Sequence, residues 1–141
     1  MRSILICSFL AIFIMGFTSI KQPGCTENKL NGTWLPTAQE FGGTVLPKGS
    51  FETQQLIIND STYIFSAESL DKGTLSYQDG KMDIYGKEGV NTGKHFSALY
   101  KLENDELTIC YNLSGNGYPE VFSTKGKPMF FLSVYKRSVV K

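Results

Sequence analysis

The chain has 141 residues, 14 of them Lys or Arg and 13 Asp or Glu, for a formal net charge of +1. That balance excludes a protein that grips nucleic acid by charge, which needs an excess of Lys and Arg on one face. With 1 histidine and 3 cysteines, the composition also excludes any site that needs two imidazoles within one chain, and no zinc-ligand spacing is present.

Residues 1–20 read as a secretory signal: Arg2, an apolar run from Ile4 to Phe17, then the small polar pair Thr18 and Ser19. The run is shorter than the roughly 20 residues that span a bilayer, so cleavage near Ser19 is expected and an uncleaved anchor is the alternative. The product is expected to be exported: periplasmic, secreted, or held at the envelope as a lipoprotein. Residues 21–29 form an N-terminal tail. In it Gly24 and Cys25 fit the end of a lipoprotein signal, while Lys21 and Gln22 stand where an apolar residue is usual. Cys25 has a second reading, a disulfide to Cys110, whose closed loop of about 85 residues would remove on the order of 4 to 5 kcal/mol of unfolded-state entropy. Lipidation of Cys25 and that disulfide exclude each other, and a buried, unpaired Cys110 is the third reading. Membrane contact is expected only through a lipid anchor or an uncleaved leader.

Residues 30–138 read as one domain. Gly, Pro, Asn and Asp interrupt this stretch at short intervals and leave no room for a long helix, while the runs between them are β-branched and aromatic. A first strand is predicted from Gly32 to Phe41, ending at Gly42 and Gly43, followed by an irregular passage from Val45 to Phe51. The segment "TQQLIINDSTYIFSA" reads as a hairpin turning at Asn59 and Asp60, and "GTLSYQDGKMDIYG" as a second turning at Asp79 and Gly80. A third is written in "GKHFSALYKLENDELTICYN", where Phe96, Ala98, Tyr100 and Leu102 alternate on one arm and Leu107, Ile109 and Tyr111 on the other. Such alternation buries one face of each strand. A polar loop from Asn112 to Lys127 precedes the last strand, "PMFFLSVYKR", which is apolar on both faces near its start. Eight strands in sequential hairpins predict an all-β, antiparallel up-and-down β-barrel, closed so that no edge is left exposed, in preference to a Greek-key sandwich.

The first strand opens with Gly32, Thr33 and Trp34, the only tryptophan, and the last ends with Lys136 and Arg137. This pairing of G-x-W with a terminal basic residue resembles the lipocalin and calycin signature. A closer resemblance is to the bacterial lipocalin-like domain family of exported proteins, through "LNGTW", "KGTLSY", "GKHFSALYKLENDELTICYN", "YPEVFSTKG" and "FFLSVYKR", in that order. The segment "TVLPKGSFETQQ" departs from it, since family members tend to carry a charged segment there. The resemblance implies an eight-stranded lipocalin-like barrel whose closed end is latched by Gly32, Trp34 and either Lys136 or Arg137. It implies no activity and no catalytic residue.

Chemistry is sparse. His95 is expected to project away from the apolar row of its strand as a partly exposed side chain. Ser114 lies in "LSGNG", which lacks the glycine spacing of a nucleophile elbow. Asp71, Asp79, Asp83 and Glu88 do not follow the spacing of a calcium loop and are expected at solvated strand ends and turns. The glycines of "YGKEGVNTGKH" miss the phosphate-cradle pattern. Neither a cofactor nor a catalytic apparatus is therefore expected. The informative group is the set of inward side chains: Tyr63, Phe65, Phe96, Tyr100, Leu107, Ile109, Tyr111 and Phe131. They either fill the barrel or line a cavity for a small, largely apolar ligand, with tyrosine hydroxyls orienting its polar atoms. The alternative is an envelope structural or interaction domain with a filled barrel, acting through Tyr118 and Phe122 of the long loop.

Overall fold

A computed structural model describes residues 28–139. The leader and Cys25, with the cleavage, anchor and lipidation readings that depend on them, lie outside the described residues. Nine strands follow in chain order: β1 (Gly32–Phe41), β2 (Thr44–Val45), β3 (Gln55–Asn59), β4 (Thr62–Ser66), β5 (Leu70–Gln78), β6 (Lys81–Glu88), β7 (His95–Glu103), β8 (Glu106–Asn112) and β9 (Phe130–Arg137). The chain's only helical turn among the described residues is a 3-10 turn at Lys48–Ser50.

Every strand from β3 onward pairs antiparallel with its sequence neighbour, and β9 returns to pair with β1 from Trp34↔Arg137 to Phe41↔Phe131. The ring is therefore a closed, up-and-down, eight-stranded barrel, with the two-residue β2 folded back on the end of β1 outside it. The irregular passage from Val45 to Phe51 takes in the last residue of β2 and the 3-10 turn. On its other side β1 meets β3 only from Gly32↔Ile58 to Trp34↔Leu56. A bulge between Pro36 and Ala38 bends β1 there, where proline has no N–H to offer a ladder.

The two ends of the barrel differ. At one end, which we call the floor, consecutive strands are joined by tight turns, including Asp79-Gly80 (φ 51° and 79°) and Asn104-Asp105 (φ 48° and 59°). Both residues of each pair are left-handed, as the hairpin turns that match strand twist require. At the other end, the rim, the connections are longer.

The floor is closed by side chains. Trp34 is fully buried, its indole N–H donates to the Leu30 carbonyl at 2.9 Å, and the Arg137 guanidinium lies 4.2 Å from its ring centroid. Arg137 also donates to the carbonyls of Lys29 (2.8 Å) and Asn31, and pairs with Asp105 at 2.9 Å. Lys136, the other basic candidate for this contact, is exposed, because period-two alternation turns it to the outer face. Gly32 has φ +138°, and a Cβ there would sit 2.8 Å from Arg137 Nη1. Only glycine lets the guanidinium pass so close to the entering chain.

Residues 113–129, between β8 and β9, form a strap on the outer wall rather than a free loop. Tyr118 donates to the Asp83 carboxylate of β6, Lys101 of β7 lies 5.3 Å from the Phe122 ring, and Pro119 and Thr124 are buried. Cys110 is fully buried on this outer face, with a backbone contact to Ser123, and burial pushes its thiol up. It has no disulfide to any described residue. The strap also explains why the last strand is apolar on both faces: Leu132, outward and opposite Cys110, is half-buried.

Candidate functional site

Inside the barrel, toward the rim, lies a cavity of about 130 Å³. Alternation along the strands supplies its walls: Tyr63 and Phe65 from β4, Asp71 and Leu75 from β5, Met82 and Ile84 from β6, Phe96 from β7, Ile109 and Tyr111 from β8, Phe131 and Tyr135 from β9. Asn91 and Leu113, in two rim connections, also line it, so the space reaches the rim.

Six of the eight inward candidates, namely Tyr63, Phe65, Phe96, Ile109, Tyr111 and Phe131, come together in this wall. Tyr100 and Leu107 do not. Tyr100 sits lower, edge-on to Tyr77 with ring centroids 5.6 Å apart, and Leu107 is fully buried opposite Tyr135. Both belong to the packed lower half of the core, since their strands run toward the floor beyond the cavity.

The phenols of the wall are neutral. Burial raises the Tyr111 hydroxyl well above its ordinary value, and its oxygen lies 3.4 Å from that of Tyr135, which burial raises as well. Tyr63 is pushed up to about 12, first by burial and then by the charge of Asp71. The stacked rings of Tyr111 and Phe131, 5.7 Å apart, complete an apolar and aromatic surround.

Asp71 is not at a solvated strand end. β5 begins at Leu70, earlier than the sequence pattern indicated, and this places Asp71 on its inward face with 4% exposure. Its carboxylate accepts the backbone N–H of Asn91 at 3.1 Å and the Asn91 side-chain amide. Asn91 is held in turn by the fold of the β6–β7 connection, where Gly86 N–H donates to Lys94 and Gly93 N–H donates to Gly86, each at 3.0 Å. Neither residue stands out in the sequence. The available signal was the alternation of Asp71, Gly73, Leu75 and Tyr77, extended upstream through a polar stretch.

Comparison of the chain with family models, curated proteins and solved structures returns no match. The site is therefore read from its own geometry.

A second polar group lies on the outer wall. His95 Nε2 is 2.7 Å from Asp83 Oδ1, Ser97 donates to the same oxygen at 3.4 Å, and the His95 ring stacks on Tyr85 with centroids 4.6 Å apart. Ser97 bonds the carboxylate rather than the imidazole, so this histidine does not activate that hydroxyl. Among the described residues no group of three or more His, Cys, Asp or Glu side chains is placed to hold a metal. Burial alone would raise the Asp83 carboxyl, but hydrogen bonds from Tyr118, His95 and Ser97, with the His95 charge, outweigh it and hold the group below its ordinary 3.8. A depressed folded pKa contributes stability above the unfolded value, and that stability is lost as pH falls through the folded one. Asp83→Asn is therefore expected to cost about 1 kcal/mol near neutrality, with the deficit closing only below pH 3.8. Urea denaturation of both proteins across that range measures it, and a deficit independent of pH would contradict the assignment.

Proposed function

We propose that this chain is an exported, non-catalytic, lipocalin-like protein that holds a small, largely apolar molecule inside its barrel. The observation that carries the reading is the aromatic-walled cavity of about 130 Å³ reaching the rim. It is smaller than the roughly 300 Å³ at which sites for drug-sized ligands begin, and close to the roughly 150 Å³ apolar cavity known to take up benzene or xenon. The ligand read from it is ring-sized rather than a lipid. G-x-W at the floor, with Arg137 across the indole, supports the lipocalin-like character.

The surface reading has weaker support. Tyr118 and Phe122, its contact residues, are engaged with Asp83 and Lys101 of the barrel's own wall.

Toluene tests the proposal. It is expected to shift methyl resonances of Leu75, Met82, Ile84 and Ile109, and Ile84→Phe, which adds bulk to the wall, is expected to abolish those shifts while the near-ultraviolet circular dichroism stays native. Toluene shifts that persist in the filled variant, or a parent protein that takes up no ring-sized probe at all, would sink the proposal.

A further inference from the structure

We propose that the molecule held in the barrel is a small amine, with its protonated nitrogen at Asp71 and a ring-sized apolar body in the cavity beneath. This rests on the ligand-holding reading above and gives the ligand its charge.

The observations converge on the carboxylate. Asp71 is 4% exposed and lines the cavity, yet among the described residues it has no ion pair. Its neighbour Lys72 points outward and pairs with Glu88 at 3.3 Å. Both hydrogen bonds it accepts come from one neutral residue, Asn91. A carboxylate offers about four lone-pair directions, so about two remain unfilled. A buried charge in an apolar wall is costly unless it meets a countercharge. An asparagine at this position would have avoided that cost, so the charge itself calls for an explanation.

Three features of the surroundings bear on what can meet that charge. First, the Tyr63 phenol, which feels the Asp71 charge, is held neutral and can offer a hydrogen bond but no countercharge. Second, the backbone packs closely against one side of the carboxylate and holds it in place on the cavity wall. Gly89 has φ +91°, and a Cβ there would lie 2.6 Å from Asp71 Oδ1. Gly73, next inward along β5, lets the Tyr63 ring lie against the strand, where a Cβ would come within 2.8 Å of Cε1. Third, the wall is rich in aromatic rings, including Phe65, Phe96 and Tyr111, and aromatic rings favour an ammonium over an anion. The Asp71 charge repels an anion, so a carboxylic acid of equal size is excluded as the preferred ligand.

Titration calorimetry on the full chain near neutral pH with benzylamine, toluene and benzoate separates the possibilities. Benzylamine is expected to bind at least tenfold more tightly than toluene, and benzoate not at all. In Asp71→Asn the benzylamine advantage is expected to vanish while toluene affinity stays the same, which also reports an intact cavity. If that variant does not fold, the order of the three probes in the parent protein still decides. Toluene binding as well as or better than benzylamine would overturn the amine assignment and leave the barrel reading standing. A chain that binds none of the three would overturn both.

Discussion

Trp34→Ala is expected to lower the free energy of unfolding by about 3 to 5 kcal/mol, the range for deleting a fully buried large aromatic. Three losses coincide at this residue. Truncation empties the space that the indole fills beneath the core, leaves the Leu30 carbonyl without its 2.9 Å donor, and removes the ring over which Arg137 lies at 4.2 Å. The cation-π contact accounts for about 0.5 to 2 kcal/mol of the effect. Urea denaturation followed by far-ultraviolet circular dichroism measures the loss, since the variant has no tryptophan fluorescence. Arg137→Lys keeps a charge but forfeits the planar fork that reaches the Lys29 and Asn31 carbonyls, and is expected to cost less than Trp34→Ala. If the tryptophan variant lost under about 1 kcal/mol, Trp34 would not be closing the floor.

The second large effect is expected at Gly86→Ala. A Cβ on Gly86 would lie 1.9 Å from the Asn91 carbonyl oxygen and 2.5 Å from its carbon. Those are backbone atoms, so no side chain can swing aside and the connection itself must move. Overpacking of this kind costs about 1 to 3 kcal/mol, occasionally more. Asn91 moves with the connection, withdrawing both donors from the Asp71 carboxylate. The expected result is a destabilised protein with faster amide exchange at Asn91 and Lys94, whose backbone bonds hold the connection together. Lys87→Ala, at an exposed neighbouring position, is the control and is expected to change stability by less than about 0.5 kcal/mol. Equal behaviour of the two variants would show that the close approach at Gly86 is not maintained in solution.

Much of the barrel was legible because its signals are local. Asp79 and Gly80 announce a turn by their tolerance of left-handed backbone, and the alternation on either side of Asn104 and Asp105 fixes which face is buried. β1 could be bounded in the sequence because Gly42 and Gly43 interrupt it. β2 could not, since two residues carry no period.

The candidate site was legible in part, for the same reason. Its aromatic wall follows from alternation within strands, as Phe96 and Tyr111 illustrate. Its polar corner does not. Asp71 and Asn91 are brought together by the β5–β6 hairpin and the close approach of Gly89 to Asp71, a relation between distant parts of the chain that no local pattern encodes. Asp71 also lies in "SLDKG", where a single apolar residue makes a strand start look like a loop. Tyr118 and Phe122 are legible as exposed side chains of the long loop, but their contacts with the wall are not, because the two rings meet Lys81, Asp83 and Lys101 only when the strap lies across β6 and β7.

The pairing of β1 with β9 also bears on how the chain reaches this structure. Apart from it, the long ladders join strands that follow one another, and such pairs form with little loss of chain freedom. Bringing β1 to β9 means closing a loop that contains almost the whole domain, and the entropy lost there is recovered only when the last rungs are made. Trp34 and Arg137 face each other across one of those rungs. The indole thus sits where the two ends of the folded chain are joined, so its burial marks the completion of the ring as well as the closing of its floor.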